Sequence, residues 1–210
     1  SPDGEQGFPG TMDVNVTYWL TDDNTVRVEY DATTDKPTVV NLSNHTYFNL
    51  KGNEGGYVMD HLLQVEADTC IQNNAQFCPD ILRHVDGSPF DFREPHRVDY
   101  RIDMPDEHLR IMRGMSACWA VRNWDGTLRK AADLYDRKSG RGMQTWTTEP
   151  ALLTFTGRSF DGTEIRWNAH GDHPLSRQPE STPFSEHGPE TGPEVSFRHR
   201  IPFLYEMTCG

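Results

Sequence analysis

The chain has 210 residues, 35% of them apolar, and a mean hydropathy of −0.73; that length allows one domain with a real core. A formal net charge of −12 argues against nucleic acid and anionic membrane surfaces as partners, since both call for a basic patch. No apolar run approaches the roughly 18 residues of a membrane span, and Cys70, Cys78, Cys118 and Cys209 form no C-x-x-C pair, so zinc and a disulfide scaffold are not expected.

The chain opens at Ser1 inside a Ser1-Pro2-Asp3-Gly4 turn, without Met or a signal-like segment, so upstream sequence is expected to be missing. Residues 13–42 read as a β-meander. Val14, Val16, Tyr18 and Leu20 alternate with polar positions and share one strand face. After the turn cluster Thr21-Asp22-Asp23-Asn24, the alternation resumes at Val26, Val28 and Tyr30. Thr34 to Pro37 turns again, and Thr38 to Leu42 is a third expected strand. Further on, Leu62 to Val65 and the segment near Ile111 are strand candidates, and residues 94–110 read as charged loop. Lys138 to Arg141 is a hairpin turn between strands at Ala131 to Tyr135 and Met143 to Thr147, and Ala151 to Thr156 gives another strand. No amphipathic helix and no repeat is found. The fold class is all-β and antiparallel. After about residue 165 the composition shifts to Pro and His and the strand alternation vanishes, so residues 1–165 read as the domain and 166–210 as an anomalous tail.

Four segments then carry a resemblance. Ser1 to Gly10 (SPDGEQGFPG), Thr33 to Leu50 (TTDKPTVVNLSNHTYFNL), Gly87 to Arg93 (GSPFDFR) and Thr147 to Gly157 (TTEPALLTFTG) resemble motifs of the aldose 1-epimerase (galactose mutarotase) family, in the family's order. The N-H-[ST]-Y-F-N-L run is the most specific of them. The resemblance implies a large antiparallel β-sandwich of the galactose mutarotase type, here partial. The family's Asn-Arg pair and one of its two active-site histidines lie upstream of the first motif and have no counterpart in this chain.

Mutarotation opens and recloses an aldose ring on the other face of C1. It needs a proton delivered to the ring oxygen and another removed from the C1 hydroxyl. Histidine suits the acid and a carboxylate the base. The resemblance makes His45 the general acid, with Asn44 and Tyr47 as supporting residues. It implies a small-molecule aldose as partner and no metal or organic cofactor. Two pocket positions depart from the pattern: Ser116 stands where the family has a sugar-binding Asp, and Leu153 where it has Gln. Arg158 and Phe155 also replace the usual Asn and Tyr.

The family's late glutamate base has no counterpart as the tail is written. Read one nucleotide out of register, permitted codons from Pro174 onward spell H-F-P-D-S-P and later T-V-Y-R-F, like the family's C-terminal stretch. Trp167-Asn168 then forces a glycine codon, and Met207-Thr208 a stop. The expectation is a frameshift between about Thr163 and Trp167, which would remove Glu180, Glu186, Glu190 and Glu194 as functional carboxylates and His170 and His173 as metal ligands. Two rival readings are a noncatalytic sugar-binding sandwich and an epimerase for a phosphorylated sugar served by Arg110, Arg113 and Arg158. The compartment and oligomeric state stay open, with the cytoplasm as the expectation for the first.

Overall fold

A computed structural model describes residues 1–52 and 57–156, together with the backbone of 201–209. Two antiparallel sheets form a sandwich. The larger has seven strands in the order β1 (Met12–Leu20), β2 (Thr25–Thr34), β11 (Ile201–Cys209), β9 (Arg141–Thr147), β8 (Arg129–Tyr135), β3 (Leu62–Val65) and β6 (His96–Arg97). The smaller has four: β10 (Ala151–Phe155), β7 (Ser116–Ala120), β4 (Thr69–Asn73) and β5 (Pro79–His84). One short helix, α1 (Glu107–Met112), packs by β4.

Period-two alternation decides which face of the large sheet is buried. Leu63 lies opposite Leu134, and Leu134 opposite Met143, so these residues share a face. The small sheet covers that face at the β3–β8 end. Val65, Phe90, Phe92, Ala117 and Trp119 form the main core there, none of them more than 2% exposed. The Trp119 indole N–H, buried with its ring, donates to the Phe90 carbonyl at 3.3 Å. At the β2 end the cover is instead the irregular segment 38–50, which places Leu42, Phe48 and Leu50 on Val28, Tyr30 and Met143. The opposite face of the large sheet is polar, with Gln144 donating to Asp133 across β9 and β8.

The loop from Ser1 to Gly10 closes the start of β1. Asp3 accepts the Gly10 N–H at 2.7 Å and pairs with Lys36. Gly10 has φ +90°, and a Cβ there would lie 2.6 Å from Thr34 Oγ1, so the turn requires glycine.

Several expectations need correction. Thr38 to Leu42 is not a strand. Both edges of β2 are already taken, by β1 and β11, so the segment cannot continue the meander on β2. The segment near Ile111 is a helix. Asp106 caps it, its carboxylate accepting the Leu109 N–H at 3.1 Å, and Arg113 ends it in the left-handed region. The stretch 94–110, expected as loop, holds β6 and the start of α1. β1 forms as expected, but Val14, Val16, Tyr18 and Leu20 stay exposed. Strand structure also does not vanish in the tail: Ile201–Cys209 runs between β2 and β9. The shifted-frame reading at Thr163 to Trp167 and the residues His170, His173, Glu180, Glu186, Glu190 and Glu194 lie outside the described residues.

Candidate active site

His45 sits in the irregular segment 38–50, exposed to solvent. Asn44 shapes the backbone beside it. Its side-chain carbonyl accepts the Thr46 N–H at 2.9 Å, a local turn that competes with strand pairing. Its amide donates to the Tyr18 hydroxyl of β1 at 3.0 Å and also engages the Tyr30 phenol. Asn44 thus ties the loop to the large sheet. Burial is the main cause that raises the Tyr30 phenol above its ordinary range.

Tyr47 links His45 to the small sheet. Its hydroxyl lies 3.5 Å from His45 Nε2, and the two rings meet edge to face with centroids 5.0 Å apart. The Tyr47 ring also packs on Phe155 of β10 at 5.3 Å. Partial burial raises the Tyr47 phenol, so it stays protonated and able to donate.

Strand register places the remaining pocket positions. Phe155 lies opposite Ser116, and Leu153 opposite Cys118. These four residues therefore share the face of the small sheet that looks away from the core, while Ala117 and Trp119 point into it. Ser116 is buried and Leu153 exposed. Cys118 is half-buried, and burial pushes its thiol up to about 11. The contacts run from His45 through Tyr47 and Phe155 onto this face. Among the described residues no carboxylate hydrogen-bonds or pairs with His45. The face is mostly apolar.

Two buried histidines went unnoticed in the sequence. His108 Nδ1 accepts the Asn73 N–H at 2.9 Å, and Nε2–H donates to the Ser116 carbonyl at 2.9 Å. His61 Nε2 accepts the Leu50 N–H at 3.2 Å, and Nδ1–H donates to the Val58 carbonyl at 2.9 Å. Burial is the leading cause that lowers both imidazoles. With both ring nitrogens engaged, each is a neutral structural tie. His61 also forms a compact group with Asp60 and Asp136. Lys51 already sits on Asp60, and Asp136 accepts the Ser139 N–H at 2.8 Å, so the group is satisfied internally. The only sequence hint of these ties was a histidine beside an apolar residue, a pattern too common to single out.

Two surface depressions lie away from His45. One of about 440 Å³ is lined by Asp68, Asp91, Arg93, Glu94, His96 and Arg122. Its arginines are already paired, Arg93 with Asp91 at 2.8 Å and Arg122 with Asp68 at 2.8 Å. The other, of about 760 Å³, brings Arg110 and Arg113 together, but Asp103, Asp106 and Glu107 line it too. Arg110 pairs with Glu107 at 3.5 Å. That acidic company removes the support for a phosphate-binding cluster there, and Arg158 is outside the described residues.

The chain is thus an all-β antiparallel sandwich with an exposed histidine on a loop that meets the edge strand of its smaller sheet. The chain belongs to the aldose 1-epimerase family, whose sequence model matches residues 1–201. It is 35% identical over 167 residues to an aldose 1-epimerase of Escherichia coli (strain K12), covering 79% of this chain and 48% of that protein. It is 36% identical over 166 residues to the galactose mutarotase of Homo sapiens, covering 78% and 46%. The chain thus spans about half the length of the curated relatives it matches. Its fold superposes on the crystal structure of galactose 1-epimerase from Lactobacillus acidophilus NCFM with a TM-score of 0.76, at 22% identity, covering 100% of this chain and 61% of that one.

Proposed function

We propose that this chain carries the acid half of an aldose 1-epimerase site, with His45 protonating the ring oxygen of an aldohexose such as galactose or glucose. The supporting observation is the contact chain from His45 through Tyr47 to Phe155, which sets the exposed imidazole beside the open face of the small sheet. Tyr47 acts as a positioning residue: its hydroxyl can hold the imidazole while the second nitrogen faces the sugar. Asn44 fixes the loop. Ser116 and Leu153 are pocket positions that offer less hydrogen bonding than an acid and an amide would. The aldose is the only partner this reading needs, no cofactor enters it, and the cytoplasm is the compartment that goes with it.

Ring opening also requires a base for the C1 hydroxyl. The resemblance's late glutamate base and upstream histidine have no counterpart in the sequence as written, and on that reading this chain turns over slowly or not at all. The division at residue 165, with a shifted frame after it, is part of the same proposal. Resequencing the coding DNA tests it, since codons unable to spell H-F-P-D-S-P would end it.

The exposed Leu153 and the buried Ser116 favour a second reading, sugar binding without turnover. Polarimetry of fresh α-D-glucose and α-D-galactose, alongside calorimetry of the equilibrated sugars, separates the two. Binding without any anomerisation above the buffer rate selects the second reading. Anomerisation well above the buffer rate that His45→Ala abolishes would establish turnover, and no binding by any aldose would overturn both readings.

A further inference from the structure

Leu50 ends the segment that carries His45, and it belongs to no strand. It is 4% exposed, so its backbone N–H and C=O are out of water and must be bonded within the protein. Side chains from two distant places do this. The carbonyl accepts from Ser139 Oγ at 3.1 Å and from Arg141 Nη1 at 2.8 Å, both at the hairpin between β8 and β9. The N–H donates to Nε2 of His61, just ahead of β3, at 3.2 Å.

The partners of His61 leave it one protonation state. An amide N–H can only donate, so Nε2 is bare. The Val58 carbonyl can only accept, so Nδ1, 2.9 Å away, carries the proton. His108 has the opposite tautomer, accepting at Nδ1 and donating at Nε2. A proton added to His61 Nε2 removes the acceptor and sets one N–H against another. The ring is fully buried, and two carboxylates face it. Asp60 Oδ1 lies 3.9 Å from Nδ1, and the buried Asp136 stands in the same group. Lys51 is the cation nearest this group and is paired with Asp60. Beyond Asp60, Arg97 and Asp99 pair with each other at 2.6 Å, and Arg141 is engaged by the Leu50 carbonyl. These carboxylates can hold an imidazolium inside the fold, but not with the Leu50 N–H where it now lies.

We propose that His61 is a positioning residue for His45, a latch whose neutral imidazole holds the Leu50 end of segment 38–50 and whose protonation lets that end go. The proposal rests on His45 being the acid of the site. Tyr47 and Phe48 lie between His45 and Leu50, so a slack end loosens Phe48 on the large sheet and the Tyr47 hydroxyl beside the His45 ring. Burial lowers the His61 imidazole, and the Val58 bond and the two carboxylates offset this only in part. The latch is therefore closed at neutral pH and opens on the acid side of the ordinary histidine value of about 6.5.

Nuclear magnetic resonance on the whole chain, titrated from neutral pH downward, tests this. At neutral pH the ring nitrogen shifts should show His61 protonated at Nδ1 alone. As pH falls, the protection of the Leu50 amide, corrected for its intrinsic exchange rate, should drop about tenfold, the size of one lost hydrogen bond. The midpoint should be that of the His61 ring, and β8 should keep its protection. His61→Gln sets an amide oxygen within reach of the Leu50 N–H and cannot titrate, so it should keep the protection and abolish the step. Where that variant does not fold, the titration of the parent chain decides alone. His61 protonated at Nε2 at neutral pH overturns the proposal. So does a Leu50 amide that ignores the His61 midpoint, a loss shared equally by β8, or a step that persists in His61→Gln. None of these readouts involves a sugar: failed anomerisation counts against His45 as the acid, and a missing pH step counts against His61 alone.

Discussion

The two ends of the seven-stranded sheet carry the same alternation and reach different outcomes. At β3 and β8 the inward residues meet a second sheet and disappear from solvent, as Val65 and Ala132 do. At β1, among the described residues, the inward side is met by the irregular segment 38–50 at Tyr18, and Leu20 is 80% exposed. Alternation therefore encodes a face, while burial requires a layer to put over it. His45 rides on the thinner cover, which ties the candidate site to the less anchored end of the molecule.

The largest expected effect tests that difference directly. Trp119→Ala empties the centre of the main core and costs about 3–5 kcal/mol. Leu20→Ala removes a side chain already in water and changes stability by no more than about 0.5 kcal/mol. Urea midpoints of the two variants give the comparison. Equal losses would mean that the β1 end is as well covered as the other.

An intermediate effect concerns His108, which joins β4 to β7 within the well-packed end. His108→Leu strands the Asn73 N–H and the Ser116 carbonyl and costs about 1–3 kcal/mol. It also changes the pH profile. Burial depresses the folded-state pKa of His108 and His61. The unfolded chain therefore takes up protons first as pH falls below the ordinary histidine value of about 6.5. This contribution to stability is complete above that pH and is lost progressively below it. Urea midpoints measured from neutral pH downward should fall through this window in the parent chain and fall less steeply in His108→Leu. Parallel profiles would mean that His108 takes up its proton equally readily in the folded and the unfolded chain.

Much of the architecture was legible because turns and alternation agreed locally. The hairpin at Lys138 to Arg141, with β8 and β9 around it, follows from sequence because the turn and both strands are contiguous. Thr38 to Leu42 misled because it is rich in β-branched residues and follows a turn, while the edge of β2 it would have joined is taken by β11, more than 150 residues away in sequence. β4, β5 and β7 went unread because strands of five or six residues with mixed polar and apolar positions show too few repeats of a period. The six residues of α1 are shorter than the window in which helical periodicity shows; Asp106 and Glu107 after Pro105 were the available signal. His45 was reachable only through its motif, since an exposed histidine in an irregular loop has no periodicity to mark it. The ties from Asn44 to Tyr18 and from Tyr47 to Phe155 join distant segments, so no local pattern could announce them.

The smallest expected effect probes the thin cover itself. Asn44→Ala removes the bond to Tyr18, the contact with Tyr30 and the turn to Thr46, at a cost of about 1 kcal/mol, because the residue is only half-buried and water replaces part of what is lost. Its consequence for the site is larger than its consequence for the fold. With Asn44 untied from β1 and β2, the direction in which His45 points rests on the Tyr47–Phe155 contact and on the packing of Leu42, Phe48 and Leu50. Amide exchange across residues 38–50 should quicken while that of β7 and β8 stays unchanged, and the nuclear Overhauser contacts between the His45 and Tyr47 rings should weaken. Tyr47→Phe keeps the ring on Phe155 and removes only the hydroxyl near Nε2, so it should leave loop exchange alone and alter the His45 ring signals. If both variants loosened the loop equally, Tyr47 would be an anchor of the segment, and the hydroxyl would have no separate part in orienting the imidazole.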